Sequence, residues 1–340
     1  MWLGGNSMLK PRRAKYTILL FIGLTCVVAA LSLLSLSVGG VSVPLKEVFA
    51  SLAGRNREAS NLIIMQFRLP RIAAAILIGA ALAVAGALLQ GVIRNPLASP
   101  DLLGVTGGAS VAVVAFMTFV TGYSIHWVPF IAIGGALVAT TINYVFAWKK
   151  GVSPFRLVLI GIGISTAMGA LTTFLLISGP AYLAAQVLNW MTGSIYGTNW
   201  SYIEVLWPWV AIFIPLSLLL AKELNVQSLG EDVARGLGSR LQLSRMILLF
   251  YSVALAGAAV GVAGTISFIG LMAPHIARML VGNSYKLIIP VSAFIGAIIL
   301  LLADLAGRML FQPLDVPAGV FTAGIGAPFF MYLLFKRKKI

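Results

Sequence analysis

The sequence predicts an all-α integral membrane protein that crosses the bilayer ten times, and three observations carry that prediction. Of 340 residues, 60% are hydrophobic and only 10% charged, where a soluble domain carries about 25% charged residues. Several apolar runs reach the ~20 residues that a spanning helix needs, which argues against the short alternating strands of a membrane barrel. The basic residues are also spread unevenly between successive loops, as the positive-inside rule asks of a multi-pass protein.

Met1 to Lys15 carries Lys10, Arg12, Arg13 and Lys15 ahead of an apolar run from Tyr16 to Val38. A basic start and an apolar middle are features of a secretory signal. This run exceeds the 7–15 residues of a signal's apolar core, so it reads as a retained first helix that starts in the cytoplasm. Gly39 to Asn61 reads as a polar loop. Further spans are predicted at about 70–90, 102–121, 127–148, 155–177, 201–221, 243–265, 267–281, 287–307 and 317–335. The eighth is short and interrupted by Pro274. No composition shift divides the chain, which is read as one membrane domain over 1–340 with a polar segment at 222–245.

Alternating from a cytoplasmic start puts eighteen of the 24 Lys and Arg on the inner side. The outer side keeps Lys46, Arg55, Arg57, Arg68, Arg71 and Arg308. Both termini are therefore expected inside, the C-terminus with Lys336, Arg337, Lys338 and Lys339. Much of the net charge of +15 comes from this bias, so it is no footprint of nucleic acid. Cys26, the single cysteine, lies in the first apolar run, which leaves neither a disulfide framework nor a metal cluster.

The outer arginines run against the bias. Arg68 and Arg71, in FRLPR, are expected at the outer entrance of the second helix. Arg308 is expected at the outer end of the ninth, one turn after Asp304, a spacing that allows an i,i+4 pair. Snorkelling to the headgroups is one reading of these cations. The other is a cationic rim that docks acidic residues of a soluble partner.

The segment KELNVQSLGEDVARGLGSRLQLSR, 222–245, is too short and too charged to span, yet spans flank it. Leu229, Val233, Leu237 and Leu241 recur at steps of four on one stripe, with Glu231, Asp232, Arg235 and Arg240 facing away. Gly230, Gly236 and Gly238 allow two short helices joined by a sharp bend. A short amphipathic helix at a membrane face suits the groove of another protein; a solvated helical loop is the plainer alternative.

Small residues recur at steps of four at Ala75, Gly79 and Ala83, at Gly104 and Gly108, and at Gly257 and Gly261, spacing that lets helix backbones approach closely. LAVAGA (82–87) resembles VALAGA (253–258), and each opens a set of four helices that enters from opposite faces. Helices 2–5 and 7–10 thus admit an inverted repeat. There is no GxxxxGK[ST] phosphate loop and no HExxH helix, and His126 and His275 are expected on opposite faces. Asp101, Glu204 and Asp304 are the acids within or beside spans, few for a proton relay. A transporter powered from elsewhere fits these absences, and no catalytic residues are assigned.

RLPRIAAAILIGAALAVAGALLQGVIRNPLASPDLLGVTGGAS (68–110) resembles the signature of the FecCD-type permeases, the membrane subunits of ABC importers for iron–siderophore complexes, haem and cobalamin. So do WMTGSIYG (190–197), LGEDVARGLG (229–238), ISFIGLMAPHIAR (266–278) and LLADLAGRMLFQPLDVPAGVFTAGIGAPFFMYLL (301–334). The resemblance runs from Tyr16 onward, with the motifs in order.

It implies the type II ABC importer permease fold in a bacterial cell membrane, as a homodimer or paired with a sibling permease. ATPase subunits would bind below and an extracytoplasmic binding lipoprotein above. It implies ATPase coupling through Leu229, Gly230, Glu231, Ala234, Leu237 and Gly238, and docking of the binding protein at Arg68, Arg71 and Arg308. The path would run between the permease copies along the fifth and tenth helices, with Ser153, Pro154 and Phe155 at the cytoplasmic gate. The related cobalamin importer has small hydroxyl residues at that turn, where this chain has Pro154 and Phe155. ATP and Mg would be bound by the partner ATPase, iron would travel as a chelate, and no cofactor or metal ligand is expected here. Iron–siderophore is the expected cargo; a haem or cobalamin importer, or a carrier driven by an ion gradient, is the alternative.

Overall fold

The structure is a computed structural model that describes residues 9–55, 59–120, 122, 124, 126–149, 151–312 and 314–337. Among them the α-helices run in the order α1 (Leu9–Ser37), α2 (Leu45–Leu52), α3 (Ala59–Leu62), α4 (Leu69–Ile93), α5 (Val105–Phe119), α6 (Trp127–Ala147), α7 (Pro154–Ser178) and α8 (Ala181–Met191). They continue with α9 (Trp200–Leu219), α10 (Ala221–Gln227), α11 (Glu231–Gly236), α12 (Leu241–Ala263), α13 (Ile269–Val281), α14 (Tyr285–Met309) and α15 (Ala318–Arg337). A π-helical stretch, Ile63–Arg68, joins α3 to α4, and a 3-10 turn, Pro100–Leu103, precedes α5. Of the basic residues counted above, Arg57, Lys150, Lys338 and Lys339 lie outside the described residues, as do the side chains of Lys10, Arg12, Arg13, Lys336 and Arg337.

Seven of these helices are long and apolar enough to cross a membrane. Three shorter apolar helices, Val105–Phe119, Ile269–Val281 and Ala318–Leu333, stand where the sequence predicts the remaining spans. The eighth span survives Pro274 as a 13-residue helix bounded by left-handed Phe268 (φ 67°) and by Gly282 (φ 75°).

Burial separates axis from rim. The most apolar windows of Ser60–Ile93 and Leu241–Ala263 are 83% and 78% buried, against 0% for Lys15–Ser37 and 17% for Pro154–Ser178. So α4 and α12 form the axis, while α1 and α7 turn apolar faces outward. In lipid no hydrophobic effect draws helices together, and close backbone approach takes its place. A Cβ at Gly79 would strike the Gly296 backbone of α14, and one at Gly86 the Gly270 carbonyl of α13. Ser252 Oγ donates to the Ala85 carbonyl at 2.9 Å, holding α12 on α4 where the two similar segments, LAVAGA and VALAGA, meet.

Three expectations need correction. Gly39–Asn61 is not all loop: α2 lies within it, and helix resumes at Ala59. Leu45, Val48, Phe49 and Leu52 carry the i, i+3, i+4, i+7 signal of an amphipathic helix, in a run too short to register as a span. Arg68 and Arg71 consequently sit well along a continuous helical rod rather than at its entrance. Gly104 does not share a helix face with Gly108, because it ends the 3-10 turn with φ 82°, a left-handed conformation in which Gly pays no Cβ penalty. The interval between the fifth and sixth spans also holds α8, which the span pattern did not indicate.

An arginine cleft at one end and a bent segment at the other

At one end of the bundle the connections 38–44, 192–199, 264–268 and 310–317 gather around α4. Their backbones satisfy one another: Ser194 N donates to the Ala263 carbonyl at 2.8 Å, and Gly319 N to the Gly193 carbonyl at 2.8 Å. Paired backbone groups are what irregular chain at membrane depth requires. The connections 38–44, 192–199 and 310–317, with α4, α8 and α14, border an open cleft of about 650 Å³, lined among others by Arg68, Arg71, Arg308, Asn189, Tyr196 and Asp315.

Arg71 organises the cleft. Its Nε donates to Asp304 Oδ1 at 2.7 Å, and its Nη1 and Nη2 donate to Asp315 Oδ2 and Oδ1 at 2.6 and 2.8 Å. The guanidinium also lies over the Tyr196 ring, 5.6 Å from its centroid. The expected pair one turn apart on α14 is present, with Arg308 Nε 3.1 Å from Asp304 Oδ2; Arg308 also donates to Ser35 of α1. Arg68 is buried and donates to the Leu36 and Val41 carbonyls. The three arginines thus share one cleft but not one role. Two neutralise the buried Asp304, while the third ties the end of α1 and its following loop to the rod. Three guanidinium groups against two carboxylates leave the cleft a net cation.

At the opposite end the 222–245 segment bends as its glycines suggest. Helix α10 ends at Gln227, Gly230 turns with φ 112°, and α11 runs six residues to Gly236, with Gly238 at φ 80°. Leu229, Val233 and Leu237 are 61%, 50% and 64% exposed and form an apolar ridge that faces away from the bundle. Leu241 is buried and opens α12, so the stripe ends one step early. Ala234 is fully buried beneath α11, which removes it from any outward-facing contact.

Glu231 faces away from the ridge, as its spacing predicts, and so turns in toward the bundle. Its Oε1 accepts from Arg245 Nη2 at 2.7 Å and from Arg94 Nη2 at 3.1 Å, and its Oε2 lies 3.7 Å from Arg235 Nη2. Partial burial pushes the Glu231 carboxyl up, but the Arg245 hydrogen bond and the charges of Arg245, Arg94 and Arg235 outweigh it and hold it below the usual carboxylate range. Glu223 of α10 accepts from Ser239 Oγ at 2.7 Å and closes the bend. The spacing sets Glu231 opposite the leucines but does not tell what it meets there, Arg245 at the start of α12 and Arg94, 137 residues away at the end of α4.

The turn into α7 sits at this same end. Ser153 is extended (φ −96°, ψ 136°), Pro154 takes the first helical position, where its missing N–H costs nothing, and Phe155 is 74% exposed. Val152, just before them, has both backbone groups held: Gln242 Oε1 accepts from its N–H at 3.2 Å, and Arg245 Nη1 donates to its carbonyl at 2.9 Å.

A match to the FecCD transport family covers residues 26–336. The chain is 48% identical over 333 residues, 96% of each chain, to the probable siderophore transport system permease protein YfhA of Bacillus subtilis. It is 45% identical over 312 residues to the achromobactin transport system permease protein CbrC of Dickeya dadantii, covering 92% of this chain and 89% of that one. Among solved structures it superposes on a metal-chelate type ABC transporter in an inward-facing conformation, with a TM-score of 0.83 and 31% identity over 94% of this chain and 99% of that one.

Proposed function

The chain belongs to the FecCD transport family, and from that premise we propose that it is the multi-pass permease of an ABC importer whose cargo is an iron–siderophore complex. The names of its relatives, which refer to a siderophore and to achromobactin, support that cargo. In this reading the arginine cleft faces outward and receives a binding protein, and the bent segment faces the cytoplasm together with both termini. Two permease copies, alike or siblings, enclose the path along α7 and α15. ATP is bound and hydrolysed in a partner ATPase, and iron crosses as its chelate.

The observation that carries the coupling reading is the ridge Leu229–Val233–Leu237, exposed apolar side chains on a short bent helix outside the spans. Such a ridge suits a hydrophobic groove in a partner. ATP-driven closure of the ATPase pair would shift α11, and the shift would change the population of inward- and outward-open bundles.

The test is reconstitution in lipid vesicles with the ATPase and the binding protein, followed by uptake of iron–siderophore, haem and cobalamin. Siderophore uptake that requires ATP is the expected result. Uptake on an ion gradient without nucleotide would overturn the importer reading. Transport of haem or cobalamin alone would overturn the cargo and leave the machinery standing.

A further inference from the structure

We infer that Arg245 is a positioning residue that couples the bent segment to the turn entering α7, through the chain Glu231–Arg245–Val152. The inference rests on reading 222–245 as the ATPase contact and Ser153–Phe155 as the gate, and it supplies the link that this reading lacks.

Arg245 stands in the first turn of α12 with its side chain 1% exposed. Its two terminal nitrogens point to two different structural units. Nη2 donates to Glu231 at the start of α11, at 2.7 Å, and Nη1 donates to the Val152 carbonyl at 2.9 Å. The planar fork of a guanidinium can hold two acceptors at a fixed separation, which a lysine ammonium on its flexible stem does not reproduce. Gln242, three residues earlier on the same helix, accepts from Val152 N–H. The start of α12 therefore grips both backbone polar groups of Val152, the residue that leads directly into Ser153, Pro154 and Phe155. These contacts are to backbone, so they fix the path of the turn whatever side chain stands at 152. Arg245 Nε is buried without a hydrogen-bond partner, as expected if the side chain is oriented by its two ends rather than by the best local solution. Arg94, at the end of α4 with φ 54°, meets the same Glu231 oxygen, so α11 is moored to the axis and to the gate turn by a single carboxylate.

The test uses the importer assembled with its ATPase and binding protein in vesicles, with uptake measured on the unlabelled protein and gate accessibility read separately by maleimide labelling of Phe155→Cys on a Cys26→Ser background. The assembly is isolated by size exclusion before each assay. Arg245→Lys and Glu231→Gln should each lower uptake per ATP hydrolysed at least about fivefold, the lower range of allosteric coupling. The double variant should be no worse than either alone, because both break one chain. In the parent, Phe155→Cys reactivity should change between the nucleotide-free and ATP-trapped states, and in each variant that change should vanish. If both variants keep uptake per ATP within about twofold and the label still follows nucleotide, the inference falls while the coupling reading stands. If Leu237→Asp leaves uptake and ATPase stimulation intact, the coupling reading itself falls and takes the inference with it.

Discussion

Arg71 and Asp315 meet in a two-bond ion pair, Nη1 to Oδ2 at 2.6 Å and Nη2 to Oδ1 at 2.8 Å, across 244 residues of sequence. Asp315 lies in the short connection between α14 and α15, so the pair joins the axis helix to the start of the last span. Asp304 takes the remaining Nε of the same guanidinium. Three of the five N–H donors of Arg71 are thus committed to carboxylates of its own chain. A docking partner that brings an acid into the cleft must share this cation or displace Asp315 from it.

The Asp304 side chain is 1% exposed and flanked by Arg71 and Arg308. Removing one partner of a buried pair leaves an uncompensated charge, which costs on the order of 3–5 kcal/mol. Arg71→Ala should therefore lower the melting temperature of the detergent-purified protein strongly. Arg71→Ala combined with Asp304→Asn should recover part of the loss, because Arg308 no longer has to compensate the buried carboxylate alone. Equal melting of the single and double variants would show that packing of the Arg71 stem, not charge, holds the cleft.

Asp315→Asn should strengthen binding-protein capture. Asp315 has a side chain 25% exposed and is the carboxylate of the cleft that a solvent-borne acid can most readily replace. With it neutralised, the two-bond grip on Arg71 is broken, since Asn keeps one acceptor oxygen, and the cleft gains one positive charge. The expected result is a faster on-rate at low salt that converges on the parent value as ionic strength rises. Surface plasmon resonance across a salt series reads it. A rate independent of Asp315 would remove Arg71 from the docking surface.

The membrane architecture was legible in the sequence because a bilayer makes each span declare itself as a run of apolar residues, and even the span broken by Pro274 is a helix. The pairing of Arg308 with Asp304 was legible too, since it is local to one helix. What escaped the reading is long-range. Asp315, Leu36 and Val41, the partners of Arg71 and Arg68, lie far off in sequence, so arginines read as an open rim are mostly committed inside the fold. Glu231 and Ala234 escaped for the same reason. Helical periodicity tells which residues share a face of α11 but not which face meets the bundle, so it does not show that Ala234 is buried while the leucines stay outside. Helix α2 has a plain amphipathic spacing but, at eight residues, is too short to register as an apolar span.

Two glycines should answer differently to the same substitution. A Cβ at Gly79 would meet the Gly296 backbone of α14, which cannot step aside as a side chain can. Gly79→Ala should therefore push α4 and α14 apart and cost about 1–3 kcal/mol. Gly23, within α1, has nothing within 4 Å of such an atom, and Gly23→Ala should be neutral or stabilising by up to about 1 kcal/mol through helix propensity. Melting curves of both variants in one detergent make the comparison. Similar shifts would mean that α4 and α14 do not rely on close backbone contact.

The mooring of α11 should loosen in acid and not in base. The Glu231 carboxyl is held below its ordinary value, so folding favours its charged form. The stabilisation is fully present above the unfolded carboxylate value of about 4.3 and is lost as pH falls through the lower folded value. A guanidinium does not lose its proton in proteins, which leaves the Glu231 carboxylate as the group that answers to acid in this cluster. A spin label at Val233→Cys on the Cys26→Ser background should therefore show constant mobility between about pH 5 and 8 and rising mobility below about pH 4.3. Glu231→Gln should flatten that acid limb and give a mobile α11 at every pH. An acid limb that persists in Glu231→Gln would assign the transition to another carboxylate, with Glu223 and its bonds to Ser239 and Ser244 the next to replace.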